Sequence, residues 1–226
     1  MLHRYAVSLA ILAVCLSGQM YGQASREVSL NAVDRLKLQN VKADQVTYRG
    51  VPALRVVDTA PASVDDAGRL AIIEGTSLRD GTIEVNVAGD TAADAPAQQR
   101  GFVGIAFRVT DASHFECFYI RPKNGRSEDQ LQRNHSTQYI SIPGFPWDKL
   151  RSETPGKYES YVDLVPGQWT KIKIKVAGQT ARLFLNGADQ SALIVNDLKQ
   201  PVAKGAIALW VGPGTIAHFT GLKIGP

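Results

Sequence analysis

The sequence predicts an all-β protein built as a two-sheet antiparallel sandwich. Short runs of β-branched and aromatic residues recur between Gly, Pro, Asn and Asp, which is the pattern of strands joined by tight turns. No long segment has apolar residues at helical spacing. The run at 82–87 alternates strictly, which places Ile83, Val85 and Val87 on one face of a strand.

The N-terminal segment is predicted to be an export signal and not part of the fold. A charged Arg4 precedes an apolar run, and small residues follow at 22–24, which is the order of a secretory signal. The run is shorter than the roughly 20 residues that span a bilayer, although a membrane anchor remains an alternative. Lipidation of Cys15 is another alternative, which the valine before it fits poorly. We predict a signal peptide at 1–24 and a single domain at 25–226 that is secreted or periplasmic and has no membrane span.

Strands are predicted wherever such runs lie between turn signals. In chain order they are 29–39, 45–48, 53–57, 70–74, 82–87, 101–109, 114–121, 169–176, 181–185, 206–211 and 218–224. Both 101–109 and 114–121 are apolar at nearly every position, which predicts a hairpin of central strands covered on both faces. Alternate lysines from Lys171 to Lys175 predict a solvated outer face that discourages edge pairing.

The stretch 122–166 differs from the rest and is predicted to be a long loop excursion. It contains several Pro and Gly residues and little alternation beyond 138–142. Loops of this length in a compact domain are usually functional or disordered. Its aromatic residues argue against disorder, so we interpret it as an ordered segment that covers one face of the sandwich.

Several segments resemble a known family. They are Asp80-Gly81-Thr82-Ile83-Glu84-Val85, the pair at 101–108 and 118–121, the hairpin from Trp169 to Asn186-Gly187, and the closing pair at 205–210 and 219–224. Over 70–224 they resemble laminin G-like and other concanavalin A-like domains, and look most like secreted bacterial domains of the 3-keto-disaccharide hydrolase type. The resemblance implies a concanavalin A-like jelly roll, an architecture that hosts lectins, glycosidases, lyases and adhesive modules alike.

A carbohydrate-processing enzyme is one hypothesis for such a domain. A retaining glucanase needs two carboxylates about 5 Å apart, and the Glu-x-Asp-x-x-Glu triplet that supplies them on this fold is absent from the sequence. A polysaccharide lyase needs a His or Tyr base and a group that neutralises the sugar carboxylate, and such groups occur around the 122–166 stretch. The residues proposed for catalysis are Glu116, His135 and Tyr139.

Carbohydrate binding is the function that the sequence favours most. Sugars are held by aromatic platforms and planar polar side chains at the rim of a shallow site. The residues proposed to bind a ligand are Arg108, Tyr119, Arg121, Asn124, Arg126, Asn134, Trp147 and Tyr158. Two alternatives stay open, since the aromatic residues could form a small core under the excursion, and Glu128 or Asp129 could satisfy the arginines.

Other chemistries lack a motif in this sequence. There is no His-x-x-x-His pair, no second cysteine in the predicted domain and no calcium-loop spacing. We therefore predict no metal and no cofactor. No motif in the sequence supports a structural Ca²⁺ site. The formal charge is only +4 and the basic residues are interspersed with acidic ones, which predicts no nucleic-acid partner. Cys117 is predicted to be a buried, inert thiol.

Three functional hypotheses therefore stand. The first is a secreted carbohydrate-binding or carbohydrate-processing domain of unassigned sugar. The second is a non-catalytic laminin G-like module for adhesion or protein binding, and the third is a purely structural envelope protein.

Overall fold

The computed structural model describes residues 25–60 and 68–226 and shows two antiparallel sheets packed as a sandwich, which confirms the predicted fold class. The strands are β1 (Arg26–Glu27), β2 (Leu36–Gln39), β3 (Val41–Tyr48), β4 (Val51–Asp58), β5 (Leu70–Leu78), β6 (Gly81–Thr91), β7 (Val103–Asp111), β8 (His114–Ile120), β9 (Thr137–Ile142), β10 (Glu159–Ser160), β11 (Thr170–Ala177), β12 (Thr180–Leu185), β13 (Leu193–Val195), β14 (Gly205–Val211) and β15 (Thr215–Gly225). The helices are α1 (Gln130–Asn134) and α2 (Trp147–Glu153), with 3-10 turns at Val33–Arg35 and Pro122–Asn124.

The strands form a back sheet and a front sheet. The back sheet has the order β13-β12-β11-β6-β15-β4-β3, with β1 paired to β15. The front sheet has the order β10-β9-β8-β7-β14-β5-β2. Strands distant in sequence are neighbours in both sheets, such as β6 beside β15 and β14 beside β5, so the chain crosses repeatedly between the sheets, as in a jelly roll.

The main core lies between the two sheets. Alternation in β6 and β11 turns Ile83, Val85, Ile172 and Ile174 inward, where they pair across the strands and are fully buried. Each such burial contributes about 1.5–3 kcal/mol, so this layer supplies much of the driving force that holds the sheets together. The predicted facing of β6 is thereby confirmed.

The outer face of the back sheet is polar. Lys171 and Lys173 both reach Glu84 on the adjacent strand, with N–O distances of 2.8 and 2.9 Å. The hydrogen bonds from these two lysines lower the pKa of Glu84. The alternating lysines thus lie on an outward face, as predicted, and two of them are paired across strands.

The centre of the front sheet is buried on both faces, as predicted for 101–109 and 114–121. Ile105 and Phe118 are partners that point into the main core. Ala106 and Cys117 are partners that belong to a second apolar cluster on the opposite face of the sheet. Burial raises the pKa of the Cys117 thiol, which keeps it protonated and unreactive, in agreement with the sequence analysis.

Sharp turns occur where the sequence indicates them. Arg49 and Gly50 join β3 directly to β4 and both have left-handed backbone, with φ of 51° and 79°. Consecutive left-handed residues match the twist of a two-residue hairpin. Asn186 and Gly187 have the same backbone, with φ of 52° and 77°, at the end of β12.

The structure corrects two element predictions. Only Leu36–Gln39 of the predicted strand 29–39 joins a sheet, because Val33–Arg35 forms a 3-10 turn. The stretch 122–166 is not one loop, since β9 pairs with β8 and β10 pairs with β9, and both helices lie in the same stretch. The alternation at 138–142 falls within β9, whereas β10 and the two helices contain too few residues for a period to show in the sequence.

The predicted signal peptide at 1–24, with Cys15, lies outside the described residues and stays a prediction. Within 25–60 and 68–226, no helix is long and apolar enough to cross a membrane.

The back sheet contains a histidine that should make stability depend on pH. His218 stacks on Tyr48 with ring centroids 3.6 Å apart. Burial, assisted by Arg55 and opposed by Asp44, lowers the pKa of His218 to about 4 from its ordinary 6.5. Because the unfolded chain then takes up the proton first, stability is fully present above about pH 6.5 and falls as the pH drops toward about 4.

We expect His218→Gln to abolish this part of the acid dependence. The measurement is the urea midpoint of both proteins from about pH 7 to about pH 4. Parallel curves for wild type and His218→Gln would contradict the assignment.

Candidate functional site

A pocket of about 610 Å³ lies on the outer face of the front sheet. Its walls come from the loop before β7, the segment between β8 and β9, and helix α2. The lining residues are Gln98, Gln99, Arg100, Phe102, Tyr119, Arg121, Asn124, Asp129, Leu131, Gln132, His135, Ile140, Trp147, Arg151, Trp210 and Pro213.

Aromatic rings form the floor of the pocket. Tyr119 of β8 and Trp210 of β14 stack with centroids 4.5 Å apart, although β7 lies between their strands. Both pair with Gly104 of β7, where an added Cβ would lie 2.5 Å from the Cβ of Tyr119. Glycine therefore allows the two rings to meet across β7. Both residues are only 2 % exposed, so the pocket presents a small part of each ring.

Trp147 forms an aromatic wall beside this floor. It is the first residue of α2 and is half-buried. Arg151 follows four residues later on the same helix face, and its guanidinium lies 4.7 Å from the Trp147 ring centroid. This contact places a planar cation over one face of the aromatic ring.

A buried carboxylate organises the polar wall. The Glu159 side chain is 2 % exposed and accepts hydrogen bonds from Arg121 Nη1 and Arg151 Nε, each at 3.1 Å. His135 Nε2 lies 3.5 Å from Glu159 Oε2. Removing one partner from a buried ion pair costs about 3–5 kcal/mol, so Glu159 holds three separate segments in place.

Arg121 has internal acceptors on all four terminal N–H groups. Besides Glu159, it donates to the Tyr119 hydroxyl, to Gln138 Oε1 and to the His135 carbonyl, each at 2.9 Å. The sequence predicts that Arg121 presents its donors to a ligand. The structure corrects this expectation, because Arg121 builds the wall of the pocket with those groups.

His135 follows α1 and lines the pocket with a neutral imidazole. Burial lowers its pKa, Arg151 and Arg121 lower it further, and Glu159 opposes the shift. A neutral imidazole has one nitrogen that donates a hydrogen bond and one that accepts. The ring can therefore contact a hydroxyl group in either direction.

Asn124 supplies a buried polar group at the same wall. Its Nδ2 donates to the His135 carbonyl at 3.0 Å. Its Oδ1 is buried and accepts no hydrogen bond from the described residues. An unmade hydrogen bond of this kind costs about 1–3 kcal/mol.

The opposite wall consists of residues that the sequence analysis did not propose. Gln98 and Gln99 line it, and Arg100 is held by the carbonyls of Ala97 and Gln99 at 2.6 and 3.0 Å. With the Gln132 amide oxygen turned toward Arg100, the Arg100 Nε and Nη2 donate to it at 2.6 and 2.9 Å. Polar residues in a connecting loop look the same whether they line a pocket or face solvent, so the sequence contains no signal for them.

The three residues proposed for catalysis do not come together. Glu116 and Tyr139 point between the sheets, because each lies one residue away from the outward-facing Cys117 and Ile140. Tyr139 donates its hydroxyl proton to Glu116 and accepts from the backbone N–H of Lys199 at 2.9 Å. The proposal that Glu116 and Tyr139 act on a ligand together with His135 is therefore corrected, because of the three only His135 lines the pocket.

Four residues proposed to bind a ligand lie away from the pocket. Arg108 is buried and donates to the carbonyls of Arg79 and Gly178 at 2.9 and 2.7 Å. Arg126 is exposed and pairs with Asp163, with N–O distances of 2.7 and 2.9 Å. The two others are Asn134, bonded to Gln130, and Tyr158, bonded to Asp197. The remaining proposed residues, Tyr119, Arg121, Asn124 and Trp147, do line the pocket.

The described part of the chain contains no group of three or more His, Cys, Asp or Glu side chains placed to hold a metal ion.

Comparison with known proteins supports the fold. No protein-family model and no curated protein sequence matches this chain. A Bacillus subtilis protein of unknown function with a galectin-like fold superposes with a TM-score of 0.52 at 11 % identity, covering 89 % of this chain and 98 % of that chain. The Bacillus subtilis carbohydrate-binding module CBM66 gives 0.49 at 12 % identity, covering 83 % and 97 %. This chain therefore shares a two-sheet sandwich fold with the Bacillus subtilis protein of unknown function, while its laminin G-like and hydrolase-type resemblances stay predictions.

The contacts of Glu116 and Tyr139 predict a structural role. Tyr139→Phe removes the hydroxyl that joins Glu116 to Lys199, so we expect a loss of about 1–3 kcal/mol in the free energy of unfolding, measured by urea denaturation. Tyr161→Phe is the matched control, because Tyr161 is 44 % exposed and its change should stay within about 0.5 kcal/mol. Equal stabilities of the two variants would refute the structural role.

Proposed function

We propose that this chain is an exported carbohydrate-binding domain whose ligand occupies the front-sheet pocket. The observation that carries the proposal is the combination, in one pocket of about 610 Å³, of an aromatic floor and wall with planar polar side chains around them. Pockets of this size and composition are typical of small-ligand sites. The export part rests on the signal-like N-terminal sequence alone.

A sugar ring matches this pocket chemically. Its C–H faces are apolar and pack on aromatic rings, while its hydroxyls project sideways as donors and acceptors. Trp147 supplies a half-buried aromatic wall. Gln98 and Gln99 supply amide groups, each with both donor and acceptor atoms, at the surrounding wall.

Binding is favoured over hydrolysis by the state of the carboxylates. Asp129 lines the pocket, but its Oδ1 accepts the backbone N–H groups of Leu131 and Gln132 at the start of α1. Glu159 is engaged by two arginines. A retaining hydrolase needs one carboxylic acid and one carboxylate nucleophile about 5 Å apart across the bond. Both of these carboxylates are already bound by donors of the protein, so we propose a binding domain.

Trp147→Ala tests the proposal. Loss of the aromatic wall should weaken binding of the cognate glycan at least tenfold, or about 1.4 kcal/mol, in calorimetric titrations with a glycan first identified on an array of neutral and acidic oligosaccharides. Tyr161→Ala is the control, because it removes an exposed aromatic residue outside the pocket lining. Absence of any bound glycan, or equal affinity of wild type and Trp147→Ala, would overturn the proposal.

A further inference from the structure

The guanidinium of Arg151 is held in a way that leaves one edge for a ligand. Its Nε donates to both Glu159 oxygens at 3.1 Å and its Nη2 donates to Glu159 Oε1, so Glu159 occupies the side-on edge. Nη1 makes no hydrogen bond to any residue in the described ranges, and the side chain remains 31 % exposed. A guanidinium has five N–H groups, and the end-on pair from Nη1 and Nη2 is the one that remains.

The guanidinium of Arg151 is held in a fixed plane, which favours binding of a ligand by its end-on edge. One face of the guanidinium lies over the Trp147 ring, 4.7 Å from the ring centroid. The edge formed by Nε and Nη2 is bound by Glu159. An immobilised guanidinium loses little further freedom when it binds. Its end-on pair of N–H groups matches the spacing of the two oxygens of a carboxylate.

The charge of the pocket also favours an anion. The lining contains three arginines at 100, 121 and 151 against one carboxylate, Asp129. Glu159 behind the wall supplies the second negative charge. Three positive charges against two negative leave one positive in excess, which a monoanionic ligand group would neutralise in a partly dehydrated space.

The neighbours of Arg151 suit the hydroxyls of the same ligand. The neutral imidazole of His135 belongs to the same wall. It offers an acceptor nitrogen, which the arginine lacks. The wall therefore combines a carboxylate-binding edge with a hydroxyl-binding group.

We infer that the glycan bound in this pocket is acidic, and that Arg151 binds the carboxylate of one of its sugar units through its end-on edge. This inference rests on the proposed carbohydrate-binding function and adds the chemical class of the ligand. Arg151 is then the residue that distinguishes an acidic sugar from its neutral counterpart.

The experiment compares ligands that differ only in the carboxylate. Wild type is titrated with oligogalacturonate, oligoalginate and oligoglucuronate, and with the same oligosaccharides after chemical reduction of each carboxylate to a hydroxymethyl group. We expect at least one acidic form to bind at least tenfold more tightly than its reduced form. We also expect this preference to weaken with salt but to persist at about 0.15 M ionic strength, where a desolvated pair is only partly screened.

Variants assign the preference to Arg151. Arg151→Gln should bring the acidic and reduced forms to equal affinity, and Arg151→Lys should retain only part of the preference because an ammonium lacks the planar fork. Arg126→Gln is the matched control, since it removes an arginine paired with one carboxylate outside the pocket. In the Arg151 variants Glu159 is still paired with Arg121, so we expect these variants to fold. Their urea midpoints check this expectation.

The outcomes separate the two proposals. If acidic and reduced glycans bind wild type equally, the acidic-ligand inference fails and the carbohydrate-binding proposal stands. If Arg126→Gln loses the preference as fully as Arg151→Gln, the preference is a general charge effect and the inference also fails. If no glycan of either kind binds, the proposed function fails together with the inference.

Discussion

The buried carboxylate of Glu159 is the interaction on which the candidate site depends. A carboxylate in a low-dielectric environment is unfavourable unless it is paired and hydrogen-bonded. Glu159 therefore fixes the segment after β8 through Arg121, and α2 through Arg151. These segments are separate in sequence, so one charge determines the shape of the polar wall. Because the side chains of this wall are already ordered, binding a ligand there would cost little conformational entropy.

The front sheet places different chemistry on its two faces. On β8 and β9, inward-facing Glu116 and Tyr139 bond to each other and to the backbone of 199–200. Outward-facing Tyr119, one strand position out of phase, forms the floor of the pocket with Trp210. Because side chains alternate along a strand, a shift of one residue decides whether a polar group anchors the core or meets a ligand. Gly104 then permits the aromatic floor by leaving space between two strands.

The candidate site could be predicted only in part. Trp147 and Asn124 line the pocket, in a segment where aromatic and amide residues concentrate, and their binding of a ligand stays a proposal. Arg126 lies in the same segment, yet it pairs with Asp163 at the surface. Residue type indicates what a side chain is able to bind, whereas the partner it has already bound depends on residues distant in sequence.

The sequence by itself determined the sandwich, the facing of β6 and the burial of 101–109 and 114–121 on both faces of the sheet, because alternation and turn residues act over a few neighbouring positions. It did not reveal that the strands β9 and β10 belong to the front sheet. Their membership depends on pairing with neighbouring strands, which their short sequences do not encode. Only the tertiary structure decided which arginine keeps donors for a ligand. Arg121 is saturated by groups up to 38 residues away, whereas Arg151 retains one edge. That difference arises from long-range contacts, which no local pattern encodes.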